Sequence, residues 1–226
     1  MESKDIINTE KKIEKLNLIK SKNKFINIKS DYFIQKLFAI MHKRISLKII
    51  KCNINIQKRL NINIINYKDF SEKFSSIKLE IIPIQNEYGP FINIKDENKK
   101  YFHIYFNNNK EEIKKTKLNK EDKVSKINII VDYQIKSFYR LFSYCECIES
   151  IKFKKFYRNN INNMSGMFWG CLSLKEINLS NFNTNNVTDM SYMFSKCSDE
   201  LKFKLRNQYK IFNETAFEDY NSDNDN

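Results

Sequence analysis

The sequence predicts an α+β chain in three parts: an N-terminal small helical module, a central antiparallel β meander, and a C-terminal short repeat solenoid with a 26-residue period. Three patterns carry this expectation. Phe142, Phe168 and Phe194 fall on one column, Cys145, Cys171 and Cys197 on a second, and Ile151, Ile177 and Phe203 on a third, each at intervals of 26. Between Ile77 and Asn107 the apolar period is two, and between Ser30 and Asn61 it is helical. The boundaries that follow are a basic segment 1–29, a helical module 30–76, a β-rich cap and linker 77–126, repeats with a closing cap 127–217, and an acidic, disordered tail 218–226.

In the helical module, Ser30 or Asp31 is placed to cap a helix whose Phe33, Leu37, Phe38 and Met41 share a face. Ile45, Ile49 and Ile50 mark a second short helix and Ile54, Ile56 and Leu60 a third, with Asn53 and Asn61 as breaks. In the meander the expected strands are 77–84, 91–94 and 101–106, separated by Gly89-Pro90 and the charged run 96–100; Pro83 belongs at a strand end. Residues 107–126 read as a polar loop with a strand or helix turn near Ile113.

In the repeats, a Met-Phe-x-x-Cys turn precedes an alternating strand. Ile151 and Phe153, Ile177 and Leu179, and Phe203 and Leu205 are expected to point inward. That leaves Lys152, Lys154, Glu176, Asn178, Lys202 and Lys204 on the open face as the expected partner-binding residues. Run backwards, the period places Ile127, Ile130 and Ile135 as an earlier, degenerate unit. An amphipathic helix over 206–217, using Tyr209, Ile211 or Phe212 and Phe217, is expected to close the last coil. Trp169, standing where neighbouring units carry Ser143 and Ser195, is the expected hot spot of an interface.

The unit that begins Asn163, Met164, Ser165, Gly166, Met167, Phe168 and Cys171, and begins again at Asp189, Met190, Ser191, Met193, Phe194 and Cys197, resembles the BspA-type leucine-rich repeat. The resemblance covers about the last third of the chain and, more loosely, 137–162. It implies a leucine-rich-repeat solenoid used for protein recognition, with no catalytic residues to transfer. A surface adhesin is the reading its exported members imply. The helical run 32–41 followed by 45–50 resembles an F-box, without the Leu-Pro opening of that motif. This implies a substrate receptor of a cullin-type ubiquitin ligase, with Phe33, Leu37 and Phe38 touching the adaptor.

Composition narrows the remaining classes. The chain has 226 residues, 41% of them hydrophobic and 14% aromatic, which is enough for a sizeable core. With three Gly and two Pro, most turns fall to Asn, whose side chain bonds its own backbone and tolerates left-handed conformations. A net charge of +13 permits nonspecific nucleic-acid binding, and within the basic segment 1–29 the densest run is Lys20 to Lys29, but the other lysines are interleaved with acids.

Five Cys do not complete a disulfide framework, and Cys145 and Cys147 with His42 and His103 lack zinc spacing. Buried reduced thiols are expected, Cys52 included. No phosphate-binding Gly loop, nucleophile with a His partner or paired carboxylates stand out, so neither catalysis nor a cofactor or metal is expected, and His103 reads as structural. No export signal or membrane span is visible, and an intracellular, cytoplasmic place is expected. The function expected is a non-catalytic protein-interaction module with a protein partner.

Overall fold

The computed structural model describes residues 28–41, 53–62, 68 and 72–219. The chain divides into two compact units, Met1–Phe70 and Ser71–Asn226. The helix expected at Ile45–Ile50, Cys52, His42, most of the basic segment and the end of the acidic tail lie outside the described residues.

In the first unit, helix α1 (Asp31–Ile40) starts where Ser30 Oγ accepts the Phe33 N–H, and α2 (Ile54–Arg59) starts where the Asn53 side chain accepts the Ile56 N–H. Both are N-caps of the ordinary kind, each satisfying one orphan amide of a first turn. Ile34, Phe38 and Ile56 form a small core with Ile28, Met41, Leu60 and Ile62 against it. Asn61, in left-handed conformation, ends α2. Arg59 Nε donates to Asp31 Oδ1 at 2.5 Å and ties the two helices together.

The second unit is where the fold-class expectation is corrected. No meander stands apart from a C-terminal solenoid. Strands β1 (Ile77–Pro83), β3 (Phe102–Phe106), β5 (Ile127–Val131), β6 (Ile148–Lys155) and β7 (Glu176–Asn178) form one five-stranded sheet in the order β3-β5-β1-β6-β7, in which only β6 and β7 run parallel. Residues 91–94 make no strand; instead β2 (Gly89–Pro90) pairs with β4 (Lys117–Leu118). Residues 96–101 form a 3-10 helix. Ile113 bridges the β3 edge at Ile104.

Two expected repeat strands are overturned. β5 lies antiparallel between β3 and β1 and so does not precede β6 in a parallel stack, and Ile130 faces outward while Ile127 and Ile129 are buried. The third repeat strand is helix α3 (Asp199–Gln208). Ser198 caps it by accepting the Leu201 N–H, Asp199 and Glu200 sit in its first turn, and the run lacks β-branched residues, so local preference there is helical. The helical period buries Leu201, Lys202 and Leu205 and turns Phe203 out to 67% exposure. The closing helix therefore starts earlier than the span 206–217 and ends at Gln208, and beyond it only a short 3-10 turn, Glu214–Ala216, forms.

The 26-residue register itself appears in the turns. Phe138, Arg140, Phe142 and Tyr144 donate their N–H groups to Asn163, Ser165, Met167 and Trp169 carbonyls at 2.7–3.1 Å. Met164, Gly166, Phe168 and Gly170 do the same to Asp189, Ser191, Met193 and Ser195 at 2.8–2.9 Å. Phe142, Phe168 and Phe194 stack with centroids 5.6 Å apart and planes nearly parallel, and Phe217 adds a fourth ring at 5.3 Å. Burying each ring stabilises by about 1.5–3 kcal/mol, and the offset stacks add roughly 0.5–1.5 kcal/mol per pair.

The thiols of Cys171 and Cys197 donate to the Phe142 and Phe168 carbonyls. Cys145, Cys147, Cys171 and Cys197 are buried and unbridged. Burial pushes the Cys147 and Cys197 thiols up to about 11 and about 12.

Phe168→Ala is expected to cost about 3–5 kcal/mol in urea unfolding, because a ring with neighbours on both sides leaves a cavity. Phe203→Ala is expected to change stability by no more than about 0.5 kcal/mol. A large loss at Phe203 would restore the inward-facing strand.

Candidate interaction surface

Alternation along each strand buries one sheet face and opens the other. Lys78, Glu80 and Ile82 of β1 point to the open face, as do His103 and Tyr105 of β3, Asn128 and Ile130 of β5, and Lys152 and Lys154 of β6. Pairing register aligns Tyr105, Asn128, Glu80, Lys152 and Asn178 into one row that crosses all five strands. At about 4.8 Å per strand this row is roughly 19 Å wide. A second row runs Ile82, Ser150, Glu176. Beyond it a cleft of 770 Å³ opens between the 84–88 turn and the 120–125 loop, with Ile82 and Glu149 on its wall.

Glu80 holds the centre of the first row. Lys154 Nζ lies 2.5 Å and Lys126 Nζ 3.3 Å from its Oε2. Partial burial pushes the carboxyl up, but the two ammonium groups outweigh it and hold the group below the usual glutamate value of 4.5. At the far edge His103 sits between two acids, Nε2 at 3.3 Å from Asp132 and Nδ1 at 3.2 Å from Glu112. Hydrogen bonding from Lys114 holds Glu112 down against its partial burial, and His103 adds to this. The structure thus gives His103 the acid partners that its neighbours in sequence do not.

Of the residues expected on this face, Lys152, Lys154, Glu176 and Asn178 are brought together. Lys202 and Lys204 are placed elsewhere because α3 replaced the strand. Lys202 is 6% exposed and bonds Asp219 at 2.9 Å, while Lys204 pairs with Glu200 on the helix surface. Trp169 is 8% exposed, with the Arg140 guanidinium 4.1 Å over its ring. In the first unit Phe33 is 56% exposed, Leu37 half-buried and Phe38 buried with Ile34 and Ile56.

Glu80 and Tyr105 were missed because they belong to strands that the sequence assigns to a separate meander, and Asn128 because its strand was read as a degenerate repeat unit. The alternation in 77–83 and 102–106 was the available signal for which of their residues face out. Arg158 was also missed. It is fully buried, donates to the Asp132 carbonyl, and burial pulls its pKa to about 10 against the attraction of Asp132.

Among the described residues no group of three or more His, Cys, Asp or Glu is placed to hold a metal ion, and no helix is long and apolar enough to cross a membrane.

Glu80→Gln is expected to cost about 1 kcal/mol at neutral pH. A carboxyl held below its unfolded value stabilises above roughly pH 4.5 and loses that contribution as pH falls through the lowered folded value. The difference between native and variant proteins in urea unfolding should therefore vanish in strong acid. A difference unchanged by acidification would show that the ion pairs are not its source.

Residues 136–223 match the family profile described as "Mycoplasma protein of unknown function, DUF285". The matched span runs from the first repeat turn through α3 and the closing 3-10 turn, and leaves out β1, β3 and β5. No curated protein and no solved structure matches the chain.

Proposed function

We propose that this chain is a non-catalytic protein-interaction module that offers the open face of its five-stranded sheet to a protein partner. The observation that carries the reading is the continuous row Tyr105, Asn128, Glu80, Lys152, Asn178, set on strands whose other face is core. Side chains fixed by a packed sheet lose little freedom on binding, and this favours a recognition surface. Lys78 and Lys152 form no ion pair among the described residues and are free to meet acidic groups. A stable interface covers about 800 Å² per partner. Such an interface would extend past the strands, and the cleft beside Ile82 and Glu149 adjoins the face in the right place. The resemblance of 163–198 to BspA-type repeats supports a recognition role.

A second reading, an F-box-like receptor, is favoured by α1, which leaves Tyr32 and Phe33 exposed at one end of the small helical core. Photo-crosslinkers placed at Asn178 and at Phe33, in cells that make the protein, separate the two. The sheet-face reading expects a protein adduct at Asn178 that Lys152→Glu reduces about tenfold without changing the unfolding midpoint. Adducts only at Phe33 would favour the adaptor reading and overturn this one.

A further inference from the structure

The turn side of the repeats carries a second surface, built where the middle repeat lacks side chains. Positions 140, 166 and 192 all have left-handed backbone, with φ of 50°, 58° and 55°, and so do 144, 170 and 196, with φ of 55°, 70° and 55°. The flanking repeats carry Arg140, Tyr144, Tyr192 and Lys196 there, while the middle repeat carries Gly166 and Gly170, two of the chain's three glycines. A Cβ on Gly166 would stand 3.2 Å from Arg140 Cγ, and one on Gly170 would stand 2.6 Å from the Tyr144 ring. The first repeat therefore lays its side chains across the second.

The result is a platform of cations and rings. The Arg140 guanidinium lies 4.1 Å over Trp169 and 5.3 Å from the Tyr139 ring centre, the Tyr144 ring is 5.7 Å from the indole, and Lys196 Nζ reaches to 5.9 Å from the next repeat. Tyr139 and Tyr144 are 50% and 48% exposed. Arg140 and Lys196 are exposed, and neither forms an ion pair among the described residues. A guanidinium stacked on an indole is held in one plane, yet its N–H edges stay available, so a carboxylate can take them with little ordering cost.

We infer that this platform docks an extended acidic segment of a partner protein, with Arg140 and Lys196 meeting its carboxylates and Tyr139 and Tyr144 covering its apolar stems. Two cations suit a short acidic peptide. A nucleic acid held by its backbone usually engages on the order of six to ten phosphates. The surface lies on turns and does not involve the sheet face, so either can fail without the other.

Trp169 is the single tryptophan of the chain, and its emission reports on this place directly. The test titrates the full chain at low salt with a synthetic peptide of about twelve residues carrying Glu at every second position, and with its Gln counterpart. Saturable change in emission is expected with the Glu peptide alone. Arg140→Gln and Lys196→Gln are each expected to weaken it by about tenfold, and Lys152→Glu is expected to leave it unchanged. Lys196 packs only at the platform's margin, so its variant keeps the test valid if Arg140→Gln perturbs folding. Equal responses to the Glu and Gln peptides, no saturable response, or tighter binding of an oligothymidylate of similar length would overturn the inference.

Discussion

Residues 140, 144, 166, 170, 192 and 196 turn the chain into left-handed conformation at two points in every repeat. Around those points the amides of alternate residues face along the stack and not back into their own turn. A buried amide left without an acceptor costs roughly 1–3 kcal/mol, so this geometry is tolerable only if the next copy begins 26 residues later and offers carbonyls in register. The hydrogen bonds from 138–144 to 163–169 and from 164–170 to 189–195 meet that condition, and the Phe column forms because the ladder brings one ring over the next. Spacing, turn conformation and core packing are one constraint seen at three levels.

A ladder of this kind has two open ends, and the chain closes each with non-repeating residues. At the first, the Asn93 N–H donates to the Leu141 carbonyl and its side-chain amide to the Ser143 carbonyl, so one residue serves two carbonyls that a preceding repeat would otherwise serve. At the second, Thr215 and Ala216 carbonyls accept from Tyr192 and Phe194, Phe217 ends the ring stack, and the Asp219 carboxylate takes the Lys196 N–H. Bonding from that N–H and then from Lys202 holds Asp219 below the ordinary aspartate range. The strand side is closed in the same spirit: β1 pairs with the exposed edge of β6 in antiparallel sense, and this produces a mixed sheet.

The columns at 142, 168 and 194 and at 145, 171 and 197 were legible because ring stacking and thiol burial need the same residue type at the same place in each copy. The open-face residues Lys152, Lys154, Glu176 and Asn178 were legible for a related reason, since a period of two fixes the face once one inward residue is known. Phe203 and Lys202 misled because they continue the column pattern while Ser198, Asp199 and Glu200 start a helix, and the local signal prevailed. The place of β1 beside β6 was not legible at all. Pairing between Leu79 and Phe153 spans 74 positions, and nothing in either strand names its neighbour. Gly166 and Gly170 did mark the left-handed columns, a clue the Phe column overshadowed.

Amide hydrogen exchange at Phe142, Phe168 and Phe194 tests the register most directly, because the three N–H groups are successive rungs of the one ladder. Equal protection at all three, reaching the free energy of global unfolding and lowered together by loss of the Phe168 ring, is the predicted result. Fast exchange at any one of them while the other two stay protected would contradict the stacked register and the account built on it.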